Sequence, residues 1–255
     1  MKNLNLLNSD KNFVIGNKII KLDVIDSTNN YSKKNINDLK EGTIVIANHQ
    51  TMGRGRISRE WEDEKNKNIL LSIILKPKIM IDDIGTINLL IAASIYETLK
   101  EYHDNIKIKW PNDLFLNSKK FCGILIETKI RKNNLDYMII GIGINLNSEK
   151  FSKDLKNKAT SLKLETGYEI DKNIVLEKLL KKLNEFYLDF LKGKREIIYK
   201  ICREHSYILG KKVKVIINGI EKKVKVIDVN STGELIVEYN DNIEILAINE
   251  VTLCL

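Results

Sequence analysis

Three arginines, two glycines and a tryptophan fall within His49-Gln-Thr-Met-Gly-Arg-Gly-Arg-Ile-Ser-Arg-Glu-Trp61. Arg54, Arg56 and Arg59 can grip phosphate or carboxylate bidentately, and Gly53 and Gly55 let a backbone close over a ligand. On its own the stretch fits an RNA-binding surface loop equally well. A second run, Lys109-Trp-Pro-Asn-Asp-Leu-Phe-Leu-Asn-Ser-Lys-Lys-Phe-Cys-Gly-Ile-Leu-Ile-Glu127, presents Asn112 and Asp113 at a rigid Trp-Pro corner, with Lys119 and Lys120 in the following turn. An acid–amide pair beside a lysine suits a site for a magnesium nucleotide and a carboxylate. A tight turn using Pro-Asn-Asp for geometry is the structural alternative. Gly141-Ile-Gly-Ile-Asn-Leu-Asn147 sets two glycines inside an apolar strand, which marks a close approach by a ligand or backbone, or a bulge. Asp26-Ser27-Thr28-Asn29 groups hydroxyls, an amide and free backbone N–H donors at a helix start, as ordinary helix caps also do.

These residues need elements to hold them. Lys18 to Ile25 reads as a strand, and a polar helix capped by Asp26-Ser27-Thr28 is expected through Asp38. Gly42 to Asn48 is a second strand rich in β-branched residues, the Arg/Gly stretch is a loop, and Asn68 to Lys76 is another strand stopped by Pro77. From Asp83 the period becomes helical, with Ile87, Leu90, Ile91, Ser94, Ile95 and Leu99 on one face. Strand-like runs follow at Ile106 to Trp110, Phe121 to Lys129 and Tyr137 to Ile144, with a turn-like Asn117 to Lys120. Asp171 caps a long amphipathic helix that Gly193 stops. Beyond Tyr207 four short strands (212–217, 223–228, 234–238, 243–248) alternate with hairpin punctuation and predict a small antiparallel barrel. The expected class is α+β: a mixed-sheet domain packed with helices over residues 1–206, then a small β-barrel over 207–255.

The chain has 255 residues, 43% hydrophobic and 30% charged, which suits a soluble globular protein. Its longest apolar runs are too short to cross a bilayer, and no signal peptide is read. Cys122, Cys202 and Cys254 lack Cys-x-x-Cys spacing, which argues for reduced thiols in the cytoplasm and against a zinc site. The net charge of +8 is spread over lysines along the whole chain. It leaves a polyanionic partner open without deciding for one.

Taken together and in order, the motifs resemble the catalytic module of the biotin protein ligase family, also called biotin–[acetyl-CoA-carboxylase] ligase. The resemblance rests on Ser27-Thr28-Asn29, on Gln50 with Gly53-Arg54-Gly55-Arg56 and Trp61, on Lys109 to Asp113 leading to Lys120-Phe-Cys-Gly-Ile-Leu125, and on Gly141-Ile-Gly-Ile-Asn145. Ala159-Thr-Ser-Leu162 also looks like a segment common in the family. The likeness runs from about residue 20 to the end and implies a class II synthetase-like catalytic fold followed by an SH3-like barrel. Where the family loop often reads Gly-Arg-Gly-Arg-Arg-Gly-Arg-x-Trp, this chain has Ile57 and Ser58, a change that bears on how the loop orders. Fewer than 20 residues precede the first strand, so the resemblance is to the monofunctional type without an N-terminal DNA-binding domain.

The resemblance implies an enzyme that activates biotin with ATP to biotinyl-5′-AMP and passes biotin to one lysine of a biotin carboxyl carrier domain. Lys120 would bridge the biotin carboxylate and the α-phosphate, acting with Arg56. Ser27, Thr28, Asn29, Gln50, Gly53, Arg54, Gly55, Arg56, Lys120 and Gly123 would contact biotin; Arg59, Trp61, Asn112, Asp113 and Asn145 would contact the nucleotide. Mg²⁺ would arrive with ATP, and Asp113 is a candidate ligand. The partners implied are the carrier domain and the small molecules biotin and ATP, without specific DNA binding or a membrane; a homodimer is compatible. A lipoate protein ligase is the enzymatic alternative, and a nucleic-acid-binding regulator is the more distant one.

Overall fold

The computed structural model describes residues 13–57, 59–132, 134–217, 219–247 and the backbone of 251–254. In chain order its elements are β1 (Lys18–Ile25), α1 (Thr28–Lys34), β2 (Thr43–Gln50), β3 (Ile69–Leu75), α2 (Ile84–Leu99), β4 (Ile106–Lys109), β5 (Asp113–Leu116), β6 (Lys119–Arg131), β7 (Asn134–Ile144), α3 (Leu162–Thr166), α4 (Lys172–Leu191), α5 (Glu196–Glu204), β8 (Lys212–Ile217), β9 (Ile220–Val229), β10 (Leu235–Tyr239), β11 (Asn242–Leu246) and β12 (Val251–Cys254). The architecture is α+β, as expected.

A seven-stranded sheet in the order β1-β2-β3-β7-β6-β5-β4 forms the main body. Only β1 and β2 pair in parallel, with α1 in the crossover between them. Between β2 and β7 lies β3, Ile-Leu-Leu-Ser-Ile-Ile-Leu, buried along its whole length. Its two faces serve different layers. Ile69, Leu71, Ile73 and Leu75 join the main core with α2 and α4, while Ile74 packs with Leu39, Val45 and residues of α1. Almost every residue of α2 is buried, the expectation for a helix enclosed between a sheet and a second helix. That second helix, α4, shows its apolar side inward, and Asp171 caps it by accepting from the backbone N–H groups of Asn173 and Ile174.

Several elements differ from the sequence expectation. Helix α1 ends at Lys34 rather than Asp38, because the Asn35 side chain donates to the Tyr31 carbonyl and its own backbone turns out of the helix. Asp113–Leu116, not anticipated as a strand, pairs with β4 on one side and β6 on the other. The Trp110-Pro111-Asn112 corner reverses the chain to allow this, and Asn117 and Ser118, at φ 47° and 65°, make the tight turn into β6. Helices α3 and α5 and strand β12 were also unanticipated.

A second, antiparallel five-stranded sheet runs β11-β10-β9-β8-β12. Of the expected strand at 243–248, Ile248 lies outside the described residues, as does Asn218 of an expected turn. The inner valines of this sheet, Val213, Val215, Val224 and Val226 among them, belong to the same apolar cluster as the main core. Trp110 reaches across from the corner after β4, and its Nε1 donates to the Gly233 carbonyl at 2.8 Å.

Candidate active site

Glycines on neighbouring strands clear a floor on one face of the large sheet. Gly123 of β6 lies opposite Gly143 of β7, which in turn faces Leu70 of β3; one step along, Leu125, Gly141 and Ser72 form the next row. Alternation along each strand puts both rows on the same face. The space above is already in use. A Cβ built on Gly143 would stand 2.6 Å from Trp61 Cε2, and one on Gly141 would stand 2.6 Å from Asn29 Oδ1. The sequence reading of these glycines as points of close approach is therefore met by two side chains, one from the Arg/Gly segment and one from α1.

The start of α1 forms one wall. Ser27 sits at the N-cap position without a side-chain cap bond, and Ser27, Thr28 and Asn29 are all buried. Gln50, the last residue of β2, brings its Oε1 to the Thr28 backbone N–H at 2.8 Å and to the Thr28 hydroxyl at 3.0 Å. The Ser72 hydroxyl lies 2.8 Å from Thr28 Oγ1 and donates to Asn29 Oδ1 at 2.6 Å. Asn29 Nδ2 donates to Glu127 Oε2 at 2.8 Å, so its amide is held at both ends. With its oxygen committed, the Gln50 amide keeps two N–H donors, its nitrogen lying beside Gly53, and the residue lines the cavity.

The Arg/Gly segment is a short hairpin rather than an open loop. Trp61 N–H donates to the Gly53 carbonyl at 2.9 Å and Gly55 N–H to the Arg59 carbonyl at 2.7 Å, with Arg54 and Glu60 bridged between them. Gly53 permits the closure, since a Cβ there would stand 2.4 Å from the Trp61 carbonyl oxygen. Arg54 reaches Asn30 Oδ1 at 2.7 Å and Glu127 Oε1 at 3.2 Å. Arg56 donates to Asn112 Oδ1 at 3.3 Å; burial lowers its pKa, the Asp113 charge opposes that and Arg59 adds to it, and the guanidinium stays protonated. Ile57, at the tip, is exposed with φ 53°, an unfavourable conformation for a β-branched residue. Ser58 lies outside the described residues.

Lys120 enters from the opposite wall. Its backbone is pinned by a parallel bridge to Ala159: Lys120 N–H donates to the Lys158 carbonyl, and Thr160 N–H donates to the Lys120 carbonyl. This gives the Ala159-to-Leu162 segment a physical task. The Lys120 Nζ stands 2.7 Å from Asp113 Oδ1 and 5.6 Å from the centre of the Trp61 ring. Asn112 is locked by its Nδ2 on the Ile124 carbonyl at 2.7 Å and by the Ile124 N–H on its own carbonyl. Asn88 donates to the Pro111 carbonyl from behind.

Most residues singled out from the sequence converge. Ser27, Thr28, Asn29, Gln50, Arg54, Gly55, Arg56, Trp61, Asn112, Lys120 and Gly123 line one cavity. Gly53 and Arg59 line the adjoining space at the hairpin instead, and Asp113 joins through Lys120. Asn145 is set behind the cavity wall, buried, with its Nδ2 on the Thr160 carbonyl at 3.2 Å and its Oδ1 without a partner. Ser72, Asn30, Glu127 and Asp63 were not anticipated. Ser72 carried a signal, being the one polar residue in an apolar strand. Asp63, whose side chain accepts from the Gln50 N–H at 3.2 Å and stands 3.0 Å from His49 Nδ1, carried none, and neither did Glu127.

The cavity thus has amide and hydroxyl groups on the α1 side, a glycine floor overlain by Trp61 and Asn29, and the cations Lys120 and Arg56 on the opposite side. It suits a ligand with a polar ring at one end and an anionic reacting centre at the other. The sequence profile of the Biotin/lipoate A/B protein ligase family matches residues 22–145. The bifunctional ligase/repressor BirA of Bacillus subtilis is 32% identical over 239 residues, covering 92% of this chain and 73% of that protein. The biotin–[acetyl-CoA-carboxylase] ligase of Paracoccus denitrificans is 31% identical over 160 residues, 60% of this chain and 66% of that protein. Among solved structures, the biotin protein ligase from Aquifex aeolicus in complex with biotin and ATP superposes with a TM-score of 0.81 at 28% identity, covering 93% of this chain and 98% of that one.

Proposed function

Because the chain belongs to the biotin/lipoate A/B protein ligase family, we propose that it activates biotin with ATP and transfers it to a lysine of a biotin carboxyl carrier domain. The observation that carries this reading is the cavity's polarity. Thr28, Asn29 and Gln50 supply hydroxyl and amide groups on one side and Lys120 and Arg56 supply cations on the other, over Gly123, Gly141 and Gly143, while Arg54 joins the hairpin to the α1 side.

In the first half-reaction a biotin carboxylate oxygen attacks the α-phosphorus of ATP, and pyrophosphate leaves. Both reactants are anionic, so the step needs fixed positive charge where they meet. Lys120 supplies it as a compact ammonium, at present shared with Asp113. The ureido ring of biotin carries both donors and an acceptor, which Gln50 N–H groups, Ser27 and Thr28 match inside an otherwise apolar slot. The partnerless Oδ1 of Asn145 supports its role toward the nucleotide, because a buried acceptor of this kind suits an exocyclic amine.

In the second half-reaction the ε-amine of the carrier lysine attacks the acyl carbonyl of the mixed anhydride, and AMP leaves with the bonding electrons. Arg54, Arg56, Arg59 and Trp61 close the hairpin side, which matters because the anhydride hydrolyses if water enters. Mg²⁺ would neutralise charge on the triphosphate. Among the described residues no group of three His, Cys, Asp or Glu side chains is placed to hold a metal unaided. A single carboxylate such as Asp113 suits an ion that comes in already bound to phosphate. The same reading divides the chain at 206/207 into a catalytic unit and an SH3-like unit, and puts the protein in the cytoplasm, where Cys122 and Cys202 stay as free thiols.

Mass spectrometry of the intact protein after incubation with biotin and Mg-ATP tests the proposal. Bound biotinyl-AMP is the expected result. Preferential adenylation of lipoate in a parallel incubation would overturn the substrate assignment.

A further inference from the structure

Glu127 has no part in the mechanism above, yet it touches both walls of the cavity. It lies two residues beyond Leu125 on β6, on the face that carries the glycine floor. One carboxylate oxygen accepts from Asn29 Nδ2 at 2.8 Å, and the other accepts from Arg54 Nη2 at 3.2 Å, with Lys33 Nζ at 3.9 Å. Asn29 in turn overlies Gly141, and Arg54 is steadied by Asn30. One anion therefore ties the hairpin to α1.

We propose that Glu127 is a positioning residue that latches the hairpin through Arg54 and serves as the carboxylate from which Arg54 exchanges when a substrate anion arrives. The latch stands on geometry alone, while the exchange rests on the function proposed above. Arg54 meets the Glu127 carboxylate directly, and a guanidinium also binds acyl-phosphate oxygens through charge-assisted hydrogen bonds. A second anion in the cavity competes for those donors. Glu127 then keeps its other oxygen on Asn29, so the wall that meets the ring of the ligand stays in place while the hairpin is handed over. On release of the adenylate the carboxylate is waiting for Arg54 again, which eases the exit.

Trypsin reads the latch without any ligand, because Arg54, Arg56 and Arg59 are themselves cleavage points. Cleavage of the ligand-free protein is followed for wild type, Glu127→Gln, Glu127→Ala and Arg54→Gln, with the cut mapped by mass spectrometry. Glu127→Gln keeps an acceptor for Asn29 and removes the charge that holds Arg54. Its hairpin is expected to be cut about three- to fivefold faster, the scale of a part-exposed ion pair. Arg54→Gln removes the pair from the other side and must show the same acceleration at Arg56 and Arg59, which keeps the test open if one variant folds poorly. In the second arm, biotinyl-AMP release from Glu127→Gln should slow by about threefold. The biotin KM should rise by about tenfold in Glu127→Ala relative to Glu127→Gln, since only the alanine strands the Asn29 amide. Wild-type cutting rates in Glu127→Gln and Arg54→Gln would overturn the latch. Release as fast as wild type would overturn the exchange. A wild-type protein that forms no biotinyl-AMP would remove the proposed function and the exchange with it, and the trypsin arm would still decide the latch.

Discussion

Lys120 Nζ and Asp113 Oδ1 stand 2.7 Å apart across the neighbouring strands β5 and β6. The pair holds the lysine over the glycine floor and beside the face of Trp61. On the proposed function, an arriving carboxylate and phosphate would meet an ammonium already partly withdrawn from water. On that reading Asp113 would fix where the charge stands and Lys120 would supply it.

Lys120→Ala should lower pyrophosphate release by more than about 100-fold, the scale for removing one preorganised charge at a reacting centre. Its side chain is one-third exposed and sits outside the apolar core, so the circular dichroism spectrum should match wild type. Near-normal pyrophosphate release by a folded variant would remove Lys120 from the chemistry.

Arg56→Gly should make the enzyme leak. The guanidinium is half-buried and bonded to Asn112, where the hairpin meets the Trp-Pro corner. Biotinylation of added proteins that carry no carrier domain should rise several-fold, read by streptavidin blot. A variant that stays selective for the carrier would show that the hairpin does not confine the adenylate.

Gly143→Ala should displace Trp61. The new methyl would sit 2.6 Å from the indole, and relief of such an overlap typically costs about 1–3 kcal/mol. The ring should swing off the floor, changing Trp61 fluorescence and raising the biotin KM by about tenfold or more. Unchanged fluorescence and KM would place the ring elsewhere in solution.

Asn145→Ala should raise the ATP KM by about tenfold, as expected for a buried hydrogen bond to a ligand amine, while moving the biotin KM much less. Its Oδ1 has no protein partner to lose, but its Nδ2 bond to Thr160 does go, so a melting curve accompanies the kinetics. Equal rises in both KM values would assign Asn145 to the scaffold alone.

Much of the site was legible in the chain by itself. Residue types decide which groups can bind an anion, and the Arg/Gly stretch, the Lys-Trp-Pro-Asn-Asp run and the glycine-bearing strand keep those types at spacings that survive without a structure. Periodicity likewise located β3, α2 and α4, because burial imposes a repeat on each element. What sequence spacing could not carry was register. Only the pairing of β3, β7 and β6 sets Ser72, Gly141 and Leu125 in one row and Gly123 beside Gly143, converting isolated glycines into a floor. Asp113–Leu116 was missed because four residues are too few to show a period, and its pairing is imposed by the corner before it. Glu127 was invisible for a related reason. An exposed-looking glutamate at the end of an apolar run has no distinguishing pattern, and its meaning comes from Asn29 and Arg54, 98 and 73 residues away. Tertiary packing alone brings those charges and amides within hydrogen-bond reach.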